Sequence, residues 1–391
     1  MRLFTMISLL LLGIGATARA QVNVLGQPAP RAKFELAGDR VYHGASVPDT
    51  WDENGLRRQI QSYSAAAGKK LSVVTWFASA YENGRMTTWR QNYAPSLARV
   101  KRLGALSLVK FSTQDYAFPS TKRAADLKQI SLGAWDEYFK DAAQTVRDFG
   151  SPVFISIDHE MNGNWYPYSQ AYPGSRTSAA DFVAAWRRIV QVFRDNGASN
   201  AAFVWSPNVP DVGGVSFSRY YPGDDAVDWI GVSFYSGNDF ADLDTIYRAY
   251  AAKKPFFVTE WATAPEKSRY NPRFPGDAAW IKGFFGALTS RYPRVKAISW
   301  FNWNKEDGNY LLTRVPEQAK SYAQDIAAPR YIDQPVVLGN ARSIETPRFD
   351  APAPEIKLRE IVPIEAARVE AAPVQAPRRE RIRLQIVPTV R

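Results

Sequence analysis

The chain has 391 residues, 46% of them hydrophobic and 13% aromatic, enough to bury one large core with residues to spare. It has no cysteine and only two histidines, His43 and His159, which excludes a disulfide-stapled fold and a histidine-built metal site. The net charge of +11 is spread along the chain with no dense Lys/Arg run in the core and no nucleic-acid motif, so no nucleic-acid partner is expected; an acidic polysaccharide or an anionic envelope surface remains compatible with it.

The chain opens with Met1 and Arg2, an apolar stretch from Leu3 to Ala16, and the small-x-small triplet Ala18-Arg19-Ala20 before Gln21. This pattern predicts a secretory signal peptide over residues 1–20 and a secreted or periplasmic protein without stable membrane insertion, because the apolar run is too short to span a bilayer. Residues 21–39 read as an N-terminal arm. Eight short apolar runs follow, at Val41–Ala45, Leu71–Ala78, Ala105–Phe111, Val153–Asp158, Ala202–Trp205, Val227–Phe234, Phe256–Thr259 and Ala297–Phe301. Each is too short for a helix and suits a strand buried on both faces. Helical spacing appears between them, at Trp135–Phe149 and Asp181–Asn196, with Gly150 and Gly197 just past the ends, and again at Asp277–Tyr292. The connection from Ser206 to Ala226 carries no helical pattern and reads as a loop over the rim. Alternating strands and helices predict an α/β fold, a (β/α)8 TIM barrel over residues 40–327. Residues 328–391 are rich in Pro, Ala and Arg, lack aromatics after Phe349, and are expected to be a disordered basic tail.

The chemistry concentrates at strand ends. In SPVFISIDHEMNGNWYPY, the fourth strand stops at Asp158, His159 and Glu160, followed by Asn162, Asn164, Trp165 and Tyr166. In KPFFVTEWA, the seventh strand ends at Glu260 and Trp261. At roughly 30–35 residues per βα unit, the two glutamates are about three units apart on the same rim. Two carboxyls flanking a scissile bond are what glycoside hydrolysis requires: about 5–5.5 Å apart for retention, about 6.5–9.5 Å for inversion. Other strand ends supply candidates for substrate contact. Lys110 sits inside LSLVKF, where it would orient a hydroxyl or an acid of the substrate. Trp205 and Asn208 in VWSPN, Asn302 and Trp303 in WFNW, and Trp76 with Phe77 offer stacking and hydrogen bonding. Tyr235 ends the sixth strand, beside the seventh, where its phenol could donate to Glu260.

HEMNGNWYPY, DFVAAWRRIVQVFRDNGASNAAFVWSPN, YYPGDDAVDWIGVSFY, KPFFVTEW and ISWFNWN together resemble glycoside hydrolase family 26, in the family's order, over roughly Tyr42 to Ala323. The resemblance implies a barrel that hydrolyses β-linked polysaccharides with retention, mostly β-1,4-mannan and in some branches mixed-linkage β-glucan or β-1,3-xylan. It implies Glu160 as acid/base and Glu260 as nucleophile. It places the family's histidine at His159, its tyrosine at Tyr235 and its sugar-stacking tryptophans at Trp165 and Trp300. The chain departs from the family pattern at Ser156, where an arginine is common, and at Trp261-Ala262, where Phe-Gly is usual. The alternatives are a hydrolase of a bacterial exopolysaccharide and a non-catalytic envelope carbohydrate-binding barrel. The expected partner is a polysaccharide, the expected state a monomer, and no cofactor or metal is called for.

Overall fold

The computed structural model describes residues 32–334 apart from residue 49 and residues 116–125, 264–276 and 306–307. The expected signal peptide, the expected arm before residue 32 and the expected tail from 335 lie outside the described residues.

The eight strands are β1 (Val41–Ser46), β2 (Val73–Glu82), β3 (Leu106–Asp115), β4 (Val153–Ile157), β5 (Ala201–Trp205), β6 (Trp229–Tyr235), β7 (Phe256–Ala262) and β8 (Val295–Phe301). All pair in parallel in chain order, and β8 returns to β1, with Tyr42 opposite Ala297, to close a TIM barrel. Among the described residues eight helices surround it: α1 (Glu53–Ala67), α2 (Ala94–Arg102), α3 (Leu127–Ser131), α4 (Asp136–Phe149), α5 (Ala179–Asp195), α6 (Phe240–Tyr250), α7 (Ala278–Ser290) and α8 (Pro316–Ile326). Their limits follow from local chemistry. The Asp52 carboxylate accepts from the amides of Asn54 and Gly55 to start α1, and a reciprocal Ser178–Asp181 capping box starts α5. Gly150 ends α4 in the left-handed region that costs other residues about 1 kcal/mol. Between β5 and β6 the connection holds a single 3₁₀ turn, Phe217–Tyr220.

The barrel interior is layered. Tyr42, Val73, Leu106, Leu108, Phe154, Ala202, Val204, Trp229, Phe257 and Ala297 form an apolar cluster at its N-terminal end. Phe154 is met edge-on by Trp229 at 5.4 Å and Phe257 at 5.6 Å, and burying each such ring contributes roughly 1.5–3 kcal/mol. Two residues further along the same strands the inward side chains become small and polar. Thr75 bonds Ser299 at 2.7 Å, and Ser156 donates to Ser206 at 2.9 Å. The C-terminal mouth sits above this layer.

The barrel takes in residues on both sides of its expected limits. Leu36 joins the apolar cluster, the Trp229 indole donates to the Lys33 carbonyl at 2.7 Å, and Glu35 pairs with Arg294 at 2.6 Å. At the other end Tyr331 and Ile332 pair in parallel with Val41 and Tyr42, and Tyr331 is buried. Both segments are short and apolar beside polar neighbours, so composition alone assigned them to the arm and the tail. β2 and β3 also outrun their expected ends, pairing with each other as far as Tyr81 and Asp115 across a bulge.

Candidate active site

Two backbone irregularities aim the site. β4 stops at Ile157 because Asp158 and Glu160 adopt φ of 45° and 57°, a region that non-glycine residues rarely occupy. Hydrogen bonds hold both. The Asp158 amide donates to Phe111 O at 2.8 Å, and its carboxylate accepts from Thr113 N at 2.7 Å and Thr113 Oγ1 at 2.9 Å. The Glu160 amide donates to Ser206 O at 2.7 Å. With strand alternation broken, His159 and Glu160 both reach the mouth, where an extended chain would send them to opposite faces. In β7 the register slips between the Val232–Val258 and Ser233–Glu260 pairs. That bulge moves Glu260 inward, although Phe257, three residues earlier, already faces the interior.

Around Glu260, which is 5% exposed, the donors converge. Lys110 Nζ, fully buried on β3, forms a short ion pair with Oε1, and the Tyr235 hydroxyl donates to Oε2 at 2.6 Å. Burial first, then the Glu260 charge, holds the Tyr235 phenol well above its usual pKa, so it remains a donor. His159 Nε2 lies 3.8 Å from Glu260 Oε1 and 3.3 Å from the Tyr166 hydroxyl. Burial, with Lys110 and Lys305 adding to it, depresses the His159 pKa well below its usual value, so the imidazole is neutral. The Tyr168 hydroxyl fixes this turn by donating to His159 O at 2.7 Å.

Glu160 has different surroundings. Burial and the neighbouring Glu260 charge raise its pKa, opposed by Lys110, the Ser233 hydroxyl and the Trp165 indole. The Trp165 Nε1–H donates to Glu160 Oε2 at 2.9 Å while the ring stays 39% exposed. Asp158, next to them, is pushed up to about 7 by burial, against the pull of the Thr113 donors.

The structure brings Glu160, Glu260, His159, Lys110, Tyr235 and Trp165 together, with Phe77 and Trp303 beside them, and it separates the remaining candidates. Trp300 is buried on the outer face of β8, edge-on to Trp261 at 4.9 Å, its indole donating to Tyr310 O at 2.8 Å. Trp205 is likewise buried outside β5, against Tyr221 at 5.0 Å and Tyr250 at 5.6 Å. Neither is placed to stack on a sugar, because each occupies the helix-facing position of its strand. Trp76 is buried in the same outer layer. Asn162 is also buried. Its amide donates to Asn208 O and Asp211 Oδ1, and its carbonyl accepts from Asn208 N, while the Asn208 amide donates to Pro210 O. These two asparagines brace loops instead of offering groups to a substrate. Asn302 likewise accepts from Leu312 N at 2.9 Å. Lys110 is in the site, yet it contacts Glu260 and not an open subsite.

One lining aromatic that the sequence reading does not single out lies a residue from Trp300, beside the expected candidates Trp303 and Phe77. Phe301, on the inward position beside Trp300, stacks on Trp303 at 5.8 Å and 6°, with Phe77 and Tyr310 edge-on. The Trp303 indole donates to Ser46 Oγ at 2.9 Å. Strand parity, counted from the inward Lys110 and the strand pairing, would have selected Phe301. Among the described residues no group of three or more histidine, aspartate or glutamate side chains is arranged to hold a metal, and no helix is long and apolar enough to cross a membrane.

Residues 123–274, which include both glutamates, match the profile of Glycosyl hydrolase family 26. Endoglucanase H of Acetivibrio thermocellus is 28% identical over 69% of this chain and 29% of its own length. β-1,3-Xylanase TXYA of a Vibrio species is 22% identical over 46% of this chain and 42% of its own. Mannan endo-1,4-β-mannosidase A and B of Caldalkalibacillus mannanilyticus is 26% identical over 42% and 30%. The chain thus spans less than half the length of these relatives. The solved structure of a Cellulomonas fimi endo-β-1,4-mannanase double mutant superposes with a TM-score of 0.57 at 19% identity, covering 79% of this chain and 74% of that one, and so shares its fold.

Proposed function

Because the chain is a member of glycoside hydrolase family 26, we propose that it is a retaining, endo-acting hydrolase of a β-linked polysaccharide, with β-1,4-mannan the first candidate. The observation that carries this reading is the contrast between two carboxyls in one mouth. Glu260 meets an ammonium and a phenol, surroundings that suit an anionic nucleophile. Glu160 is buried with its pKa raised, which suits an acid that starts protonated. In the first step a Glu260 oxygen bonds the anomeric carbon as the bond to the leaving oxygen breaks, and the Glu160 proton passes to that oxygen. In the second, Glu160 takes a proton from water, water oxygen bonds the anomeric carbon, and the Glu260 ester bond breaks.

Trp165, exposed and bonded to Glu160, is positioned to stack on the leaving sugar, while Phe301, Trp303 and Phe77 line the far wall. A β-glucan is the second candidate, since a relative that matches over 69% of this chain is named an endoglucanase. The leader-like residues 1–20 support action outside the cytoplasm on a polysaccharide partner.

Reducing-end release from β-mannan, mixed-linkage β-glucan, β-1,3-xylan and bacterial exopolysaccharides tests the substrate, and proton NMR of the first-formed anomer tests retention. Glu260→Ala should abolish turnover of every substrate. Glu160→Ala should spare activated aryl glycosides and respond to azide, because only acid assistance is bypassed. An inverted first anomer, or equal loss in both variants without azide response, refutes the assignment.

A further inference from the structure

We propose that Lys110 partitions the two steps of the reaction: its ammonium loses its counter-ion when Glu260 is glycosylated, and it drives breakdown of the covalent intermediate. The inference rests on the reading of Glu260 as nucleophile and goes beyond it. Lys110 has no exposed surface, and the acceptor that it meets is Glu260 Oε1; the Phe77 ring lies 5.8 Å away. In the free enzyme this is a buried ion pair, in which each charge offsets the desolvation of the other. Attack on the anomeric carbon converts Glu260 to a neutral ester and leaves the ammonium buried beside it. The negative charge then sits on Glu160, which does not bond the ammonium, so the broken contact raises the intermediate relative to the state in which the Glu260 carboxylate is released. When water's oxygen bonds the anomeric carbon and the bond to Glu260 breaks, the electron pair returns to the carboxylate and the ion pair re-forms. The same contact that holds the nucleophile for the first step therefore favours its departure in the second.

The other groups facing Glu260 do not replace this contact. Tyr235 from β6 is a neutral donor and His159 from the β4 turn is a neutral imidazole 3.8 Å away, while Glu160, a carboxylate once it has given up its proton, attracts the ammonium through space without the bonded contact that Glu260 makes. Lys110 is therefore a positioning residue acting through the nucleophile, and its removal should affect the two steps unequally.

The test compares wild type with Lys110→Met and Lys110→Gln on 2,4-dinitrophenyl β-mannobioside, whose first step needs no acid assistance. For this substrate kcat reports breakdown of the intermediate, and kcat/KM reports its formation. A hydrogen bond to a charged group corresponds to about 10- to 150-fold in rate, so kcat should fall at least about tenfold while kcat/KM, measured at pH 8, changes less than about threefold. Mass spectrometry of acid-quenched steady-state samples should show a glycosylated peptide containing Glu260 in both variants and little in wild type. Lys110→Gln retains a donor without the charge and guards against a folding defect in the methionine variant; thermal melts verify both. Parallel loss of kcat and kcat/KM, with no accumulated intermediate, overturns the proposal and leaves the functional reading intact. Absence of wild-type activity on this glycoside and on every polysaccharide of the panel overturns both.

Discussion

Replacing Gly163 with alanine should detach Trp165 from Glu160. A Cβ built on Gly163 lies 2.5 Å from Trp165 Cζ2 and 2.6 Å from Cε2 and Cη2, where unstrained carbon contacts lie near 3.5–4.0 Å. The ring must move by about 1 Å, and the 2.9 Å bond from its Nε1 to Glu160 then stretches beyond hydrogen-bonding range. Losing a bond to an ionised group costs about 1.5–3 kcal/mol, equivalent to about 1–2 pH units in the acid it stabilises. The indole favours the ionised form of Glu160, so its loss raises the Glu160 pKa further. The alkaline limb of kcat/KM, where the acid loses its proton, should therefore move up by about one unit in Gly163→Ala. The assay is a pH–rate profile on the polysaccharide that the wild-type enzyme degrades, repeated with Trp165→Ala and the double variant. If Gly163 acts through the indole, adding Gly163→Ala to Trp165→Ala should shift the limb no further. A shift as large in that background, or no shift in the single variant, would refute the reasoning.

Three further outcomes test the fold around this site. The Asp158 pKa is raised from 3.8 to about 7, so the folded protein binds more protons than the unfolded chain between those values, and stability should fall as pH rises from about 4 to about 7. Asp158→Asn should flatten that decline in melts taken across the window, and an unchanged slope would show that Asp158 does not titrate there. Glu35→Ala removes the carboxylate that pairs with the largely buried Arg294 and should destabilise by about 3–5 kcal/mol in urea titration, whereas a change under about 1 kcal/mol would mean that the pair is solvated. Truncation after Gln334 should leave the melting temperature within about 2 °C, because residues 335–391 are rich in Pro, Ala and Arg and poor in groups that could pack, whereas truncation after Ala327 removes the Tyr331–Ile332 pairing and should lower it clearly. Equal melts for the two truncations would show that this pairing adds nothing.

The strands were legible because β-branched and aromatic runs too short for helices recur between amphipathic segments, and all eight appear where such runs occur. The face that each strand presents was harder to read. A strand of a parallel barrel is apolar on both sides, so alternation does not announce which residues point inward. Trp300 and Phe301 are equally plausible from composition, and only the pairing of β8 with β1 and β7 decides between them. Glu260 and His159 present a second difficulty: both reach the mouth through irregularities, a bulge in one case and two left-handed residues in the other. No periodicity encodes these. They were reached from the family motif and from the density of acids and aromatics near them. Asn162 and Asn208 illustrate the opposite error, since an amide beside a mouth is as useful for tying loops as for meeting a sugar.

The segment of residues 32–36 and the strand Tyr331–Ile332 both lie at the N-terminal end of the barrel strands, beside Trp229 and the start of β1, with the mouth at the other end. A tether attached through either segment would therefore hold the enzyme by its base. The cleft would face the surrounding medium, free to engage the middle of a long chain, and a crowded attachment surface would not occlude it.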